Sequence, residues 1–343
     1  MRTLKALDMK TENDRAEGRR LAETVMDRFL AAPSLDDLVP EVATSREILA
    51  SSGVANLAAS FFENLSSVLR TVGIPVALAS SAVHGSHLQR FHTAERIRSR
   101  NLVQGEGETE ADLEARRAAA SWDVAIQRMD EFCKSEDGRG HMADDACRFL
   151  ESALEDAEVD AAVTELLLQG EILAWSALEG LARDLFEFLV NADPENVRSL
   201  LADPMARQRI PPKISLEELA IAGFNLSSSI GTFLAAHQDF SDVRSIRALI
   251  PPILGGGSDL SSVLNEPGLW KLSQRRHLIV HRRGIVDTKY LENTGDKAVI
   301  GVRIYLSPAD LERDLRSVAL AGLAMLIQAH AVVSKETTSS PKK

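Results

Sequence analysis

Trp270–Tyr290, WKLSQRRHLIVHRRGIVDTKY, gathers Lys271, Arg275, Arg276, Arg282, Arg283 and Lys289 against a single acid, Asp287, in a chain whose formal net charge is −11. A local basic stretch in an acidic protein calls for an anionic partner at that place. On a helix His277 and His281 lie one turn apart on one side, and Arg276 starts further round with a long reach. Cleaving a phosphodiester through a neighbouring 2′-hydroxyl needs a base, an acid and positive charge near the pentavalent phosphate. Imidazoles that titrate near neutrality and a guanidinium that stays charged suit those tasks. Arg276, His277 and His281 are therefore the candidate catalytic residues, and Arg275, Arg282 and Arg283 the candidate RNA contacts. One copy of the helix is a sparse set. Two subunits packed about a two-fold axis would bring two His281 and two Arg276 side chains into one cleft.

Blander readings compete with this one. A basic helix is commonly a solvated face, and an isolated Arg-x4-His match arises by chance in many helices. His277-x3-His281 also has zinc spacing, but Leu278 stands where a zincin carries its glutamate and four arginines disfavour a dication. His84, His87 and His92 lie close together without a cysteine or carboxylate to complete a ligand spacing, so a polar helix face is the expectation and no metal or cofactor is assigned. Gly255-Gly256-Gly257 lacks the following Lys-Ser/Thr and the preceding strand of a phosphate loop. Cys133 and Cys147 are too few and too far apart for a disulfide framework and read as inert thiols in a reducing compartment.

The elements that must position these residues read as helices. Across 343 residues aromatics make up only 5% and β-branched runs are few, which favours an all-α protein in two domains. Residues 1–155 read as a helical amino-terminal domain with an acidic loop near 104–112, and a second break covers Lys134–Asp145. Residues 156–335 read as a helical bundle, and 336–343 as a polar tail. Leu166–Val190 is the strongest helix, ended by Asn191-Ala192-Asp193-Pro194. Glu179 and Arg183, four apart on it, share a face and can pair. Ser215–Leu249 reads as helical, opened by a Ser215/Glu218 capping box, and Pro251–Asp259 as a loop. Lys297–Leu306 has the alternation of a strand and predicts a short β-hairpin with Val286–Tyr290. Ser307-Pro308-Ala309-Asp310 then starts a final helix reaching about Val333. The amino terminus lacks a signal-peptide apolar run, and the longest apolar stretch, Val72–Val83, is short of the roughly 20 residues of a spanning helix. A cytoplasmic protein with no membrane partner is expected.

The segment RRHLIVHRRGIVDTKYL resembles the HEPN superfamily, the higher eukaryote and prokaryote nucleotide-binding helical bundles, whose signature is Arg, four to six residues, then His. Arg276, His277 and His281 fill those places, and Glu179-Gly180-Leu181-Ala182-Arg183 is similar to the acid-to-base spacing on an earlier helix of that family. The resemblance covers about residues 158–335. It implies a four- or five-helix bundle that forms a homodimer and acts as a metal-independent endoribonuclease, of the kind used as toxins or antiviral defence effectors and restrained by an antitoxin or regulatory protein. It implies His281 as the principal catalytic residue, Arg276 as phosphate stabiliser, His277 as polar partner, and Glu179 and Arg183 as supporting residues. The alternative is a catalytically inactive HEPN-like module that binds RNA, nucleotide or a protein partner.

Overall fold

A computed structural model of the chain describes residues 20–339 except 32–33, 212, 214, 222, 227 and 257. The longer helices are Pro40–Ala50 (α1), Ala55–Val72 (α2), Ile74–Arg98 (α3), Glu110–Lys134 (α4), Glu136–Ala153 (α5), Ala157–Ala192 (α6), Val243–Ile253 (α7), Pro267–Arg282 (α8), Thr288–Thr294 (α9) and Pro308–Ser339 (α10). The protein is all-α, with no strand among the described residues.

The chain divides into two compact units, residues 1–31 with 73–163 and residues 32–72 with 164–343. This differs from the division 1–155 and 156–335 expected from sequence, because α1 and α2 belong with the carboxy-terminal half. The reason lies in packing. A Cβ on Gly322 of α10 would stand 2.2 Å from the Phe61 ring of α2 and 3.0 Å from Leu181 of α6, and one on Gly170 of α6 would meet Val72 at 2.6 Å and Leu311 at 2.9 Å. Only glycine lets these helices approach so closely. Arg316 of α10 reinforces the same assembly, donating to Leu38 O at 2.8 Å and pairing with Glu41 at 2.8 Å.

In the amino-terminal unit α3, α4 and α5 pack together, and Val25, Phe29, Ala79, Leu150 and Val163 form a shared apolar cluster. The acidic loop near 104–112 is in part a helix start. Thr109 and Asp112 form a reciprocal capping box on α4, and Glu108 takes Arg116 at 2.8 and 2.9 Å. That guanidinium pulls the Glu108 carboxyl down to about 2. The expected break over Lys134–Asp145 shrinks to one residue: Ser135 caps α5, accepting from Gly138 N at 2.9 Å. A Cβ at Gly138 would lie 1.9 Å from Phe132 O, so its glycine serves the tight junction rather than a loop. Cys133 and Cys147 are free and half-buried.

In the carboxy-terminal unit the structure departs from the sequence expectations at several places. Ser215–Leu249 is divided into Leu216–Ile221, Ile230–Ala236 and the start of α7, because Gly223 and Phe224 take positive φ and Asp242 caps a new helix. The Glu218 side chain, and with it the Ser215 capping box, lies outside the described residues. Pro251 and Pro252, expected in a loop, form the last turn of α7. The expected β-hairpin is absent: a single antiparallel bridge joins Ile285 and Arg303, with α9 inserted between. Asp287 caps α9 by accepting from Tyr290 N at 2.8 Å, and Gly295 ends it in the left-handed region. Ser307 and Asp310 cap α10 as expected, and that helix continues to Ser339, into the expected polar tail. Residues 340–343 lie outside the described part.

Two helices, Ala157–Ala192 and Pro308–Lys335, are long and apolar enough by composition to cross a membrane, with mean hydropathy 1.2 and 1.7. Neither is a single uninterrupted apolar run, so a search for such a run does not reveal them. Each carries a buried acid that pairs within the fold, Glu171 on α6 and Asp314 on α10.

The close α2–α6–α10 packing predicts opposite effects of two glycine substitutions. Gly322→Ala should destabilise the protein by about 1–3 kcal/mol through overpacking against Phe61. Gly180→Ala, where a Cβ meets nothing within 4 Å, should stabilise it by roughly 0.5–1 kcal/mol through helix propensity. Urea denaturation of the two variants checks both, and equal effects would contradict the packing.

Candidate functional site

Helix α8 exists because Pro267 sits in its first turn, where a missing N–H costs nothing, and because Leu269, Leu272, Leu278 and Ile279 supply a buried stripe. Arg275 lies on that stripe. It is 4% exposed, its Nε donates to Glu171 Oε1 at 2.6 Å, and its Nη2 pairs with Asp314. The sequence assignment of Arg275 to RNA contact is thus corrected: hydrophobic neighbours and two buried acids hold it in the core. Burial pushes the Glu171 carboxyl up to about 7, offset in part by Arg275, and burial also raises Asp314. Glu171 Oε2 has no hydrogen-bond partner, so Arg275 compensates the burial of this carboxyl only in part.

With Arg275 inward, the next residues turn outward. Arg276 is at the margin, its side chain 20% exposed, with Nη2 3.7 Å from Glu179 Oε2. Its Nε is buried without a partner. Glu179 therefore faces across to α8, and the expected Glu179–Arg183 pair is not formed; Arg183 is exposed and has no ion pair among the described residues. His277 and His281 are exposed, with ring centroids 4.5 Å apart. Burial, then the nearby His281, Lys289 and Arg276, hold the His277 pKa below its ordinary value, so this imidazole is neutral at pH 7.

Arg276, His277, His281 and Arg282 line one cavity of about 580 Å³. Residues the sequence reading did not assign to a site complete it. Arg244 and Trp270 stand together on its wall, the guanidinium 5.8 Å from the indole ring centroid, and Trp270 Nε1 donates to Asn293 O at 2.7 Å. Asn293 Nδ2 in turn donates to Gln274 Oε1 at 2.9 Å. Lys289 lines the cavity from α9. Trp270 and Lys289 were legible as part of the basic stretch, but nothing local tied Arg244 to it.

The acids around the cavity are already engaged. Asp239 accepts from Ser241 N at 3.0 Å, Asp242 from Arg244 N at 3.0 Å, and Asp287 from Tyr290 N. Arg282 and Lys289 have no ion pair among the described residues, which leaves positive charge for an incoming anion. Arg283 is exposed in the left-handed conformation at φ 54, and its carbonyl accepts from Arg303 Nε at 3.1 Å; it lines a neighbouring groove that also includes Arg282.

No group of three His, Cys, Asp or Glu side chains suited to a metal ion occurs among the described residues. His84, His87 and His92 do not converge. His87 Nε2 is 2.9 Å from Asp145, while His92 stacks on Trp122 with centroids 3.9 Å apart.

Two substitutions test the buried ion cluster. Arg275→Met strands two acids in the core and should cost about 3–5 kcal/mol, whereas Arg282→Ala should stay within roughly 0.5 kcal/mol. Because the folded-state pKa of Glu171 is raised, its contribution is full below about pH 4.5 and is lost as pH rises through about 7. Glu171→Gln should therefore flatten the fall in stability between pH 5 and 8 by up to about 3 kcal/mol. Denaturant midpoints across that range would show it, and an unchanged slope would refute the assignment. Comparison of the chain with known protein families, with characterised proteins and with solved structures finds no match.

Proposed function

We propose that the carboxy-terminal unit is a metal-independent endoribonuclease, and that the α8 cavity is where RNA is cut. The observation that carries this reading is the meeting of Arg276, His277 and His281 in one cavity with the unpaired cations Arg282 and Lys289. Its resemblance to HEPN domains rests on those residues.

In this reading the cavity seats one phosphodiester with its 2′-hydroxyl toward the paired imidazoles. His277, neutral at pH 7, accepts the 2′-hydroxyl proton. The 2′-oxygen attacks phosphorus, the bond to the 5′-oxygen breaks, and His281 supplies the proton that leaves with it, giving a 2′,3′-cyclic phosphate and a 5′-hydroxyl. Arg276 stabilises the negative charge on the pentavalent phosphate, where a guanidinium in a partly desolvated wall is most effective. Glu179 holds Arg276 in position rather than touching substrate. Arg282 and Lys289 bind flanking phosphates.

A second copy of the chain fits the same reading. Val280, Ile285, Val299, Ile300, Val302 and Tyr305, next to the end of α8, are all at least 36% exposed, and an apolar surface of this kind marks an interaction site. A role as a toxin or defence effector, with an antitoxin or regulatory partner, follows only from the family resemblance.

Cleavage of total RNA in excess EDTA is the direct test. Wild type should cut, and His281→Ala or Arg276→Ala at matched folding should lower the rate by about 10²-fold or more. Equal cutting by all three proteins places the activity elsewhere, and absence of cutting by wild type favours an RNA-binding module. The rate should also fall on the acid side as His277 takes up a proton below pH 6.5. His277→Ala should remove that acid limb, and its persistence would assign the base to another group.

A further inference from the structure

A second concave basic site lies in the amino-terminal unit, independent of the α8 cavity. The end of α3, the turn at Ser99–Asn101 and the first half of α4 enclose about 790 Å³, bordered by Gln89, His92, Arg96, Arg100, Glu114 and Arg117. That volume suits a mononucleotide-sized ligand.

Its charge is one-sided. Glu114 pairs with Arg96, which accounts for one arginine. Arg117 is held by main-chain acceptors alone, Nη2 donating to Leu102 O at 2.6 Å and Arg100 O at 3.1 Å. No carboxylate pairs with Arg100 or Arg117 among the described residues. The C-terminal dipole of α3 explains cations in its last turn, Arg96 and Arg98. It does not reach Arg117, the eighth residue of α4.

Two nitrogens at this cavity are also buried and unpartnered, His92 Nε2 and Arg117 Nε. His92 is only 7% exposed and is fixed by its stack on Trp122. Both side chains border the cavity and carry polar atoms that the fold itself does not satisfy, an uncommon arrangement in a folded chain.

We propose that this cavity binds a phosphomonoester dianion, carried either by a free mononucleotide or by the phosphorylated end of a nucleic acid. Arg100 and Arg117 supply the charge-assisted hydrogen bonds, and the shape of the cavity admits the attached nucleoside.

Calorimetric titration of the full chain tests it, with AMP, adenosine, and a short 5′-phosphorylated DNA oligonucleotide beside its dephosphorylated form; DNA lacks the 2′-hydroxyl and resists cleavage. AMP should bind saturably and adenosine should not. Arg100→Gln, which removes no side-chain hydrogen bond or ion pair seen among the described residues, should weaken AMP binding by about tenfold or more. Tighter binding of the phosphorylated oligonucleotide than of AMP identifies a nucleic-acid end as the ligand, and preference for AMP identifies a free nucleotide. The proposal fails if AMP does not bind, if adenosine binds equally well, or if Arg100→Gln binds as wild type. It also fails if AMP binding survives Arg100→Gln and is lost in Arg276→Ala, which would place it in the α8 cavity.

Discussion

The orientation of α8 depends on a charge that cannot leave the core. Arg275 is pinned between Glu171 of α6 and Asp314 of α10, so three helices share one guanidinium. Rotating α8 would separate buried charges, a cost of several kcal/mol per ion that hydrophobic packing alone would not impose. Such a cluster adds little net stability compared with an apolar core, but it discriminates strongly between one rotation and its neighbours. Because Arg275 points inward, the helical period places Arg276 at the margin and His277 and His281 outside.

The cavity that results is set by where its acids spend their oxygens. Asp239, Asp242 and Asp287 are as close to the opening as the basic residues are, and a count of charges alone would make the site nearly neutral. Each carboxylate keeps its charge but is held by backbone N–H groups at a turn or helix start, and Asp242 also pairs with Arg244. Arg282 and Lys289 have no ion pair among the described residues, and burial, with His281, Lys289 and Arg276 nearby, holds the His277 pKa below its ordinary value. One helix thus carries a buried structural arginine and a cavity-lining one side by side, at positions that look alike in sequence.

Much of the local structure was legible. The all-α class followed from low aromatic and β-branched content, and the Ser307/Asp310 cap and the end of α6 at Asn191–Pro194 followed from capping chemistry. The errors came from punctuation residues used in other ways. Gly138 serves a tight helix junction, Pro251 and Pro252 close a helix, and Asp287 with Gly295 bounds a short helix where alternation suggested a strand. In each case the same residue types permit two local solutions, and the surrounding packing selects one. The pairing of Glu179 failed for a related reason: along α6 Arg183 is the near neighbour, but α8 brings Arg276 to the other side of the carboxylate.

By itself the sequence determined the helical class, the capped start of the last helix at Ser307 and Asp310, and the concentration of Arg276, His277, His281 and Arg282 in one basic stretch, since these depend on periodicity and short-range chemistry. Tertiary structure decided which arginine is buried, that α1 and α2 join the carboxy-terminal unit, and that Arg244, from a helix start far upstream, shares a cavity with His281. Those outcomes depend on contacts between residues distant in the chain: Glu171 with Arg275 and Asp314, Gly322 against Phe61. No local pattern encodes such pairs, because neither partner's neighbours in sequence reveal what will face it once the helices pack.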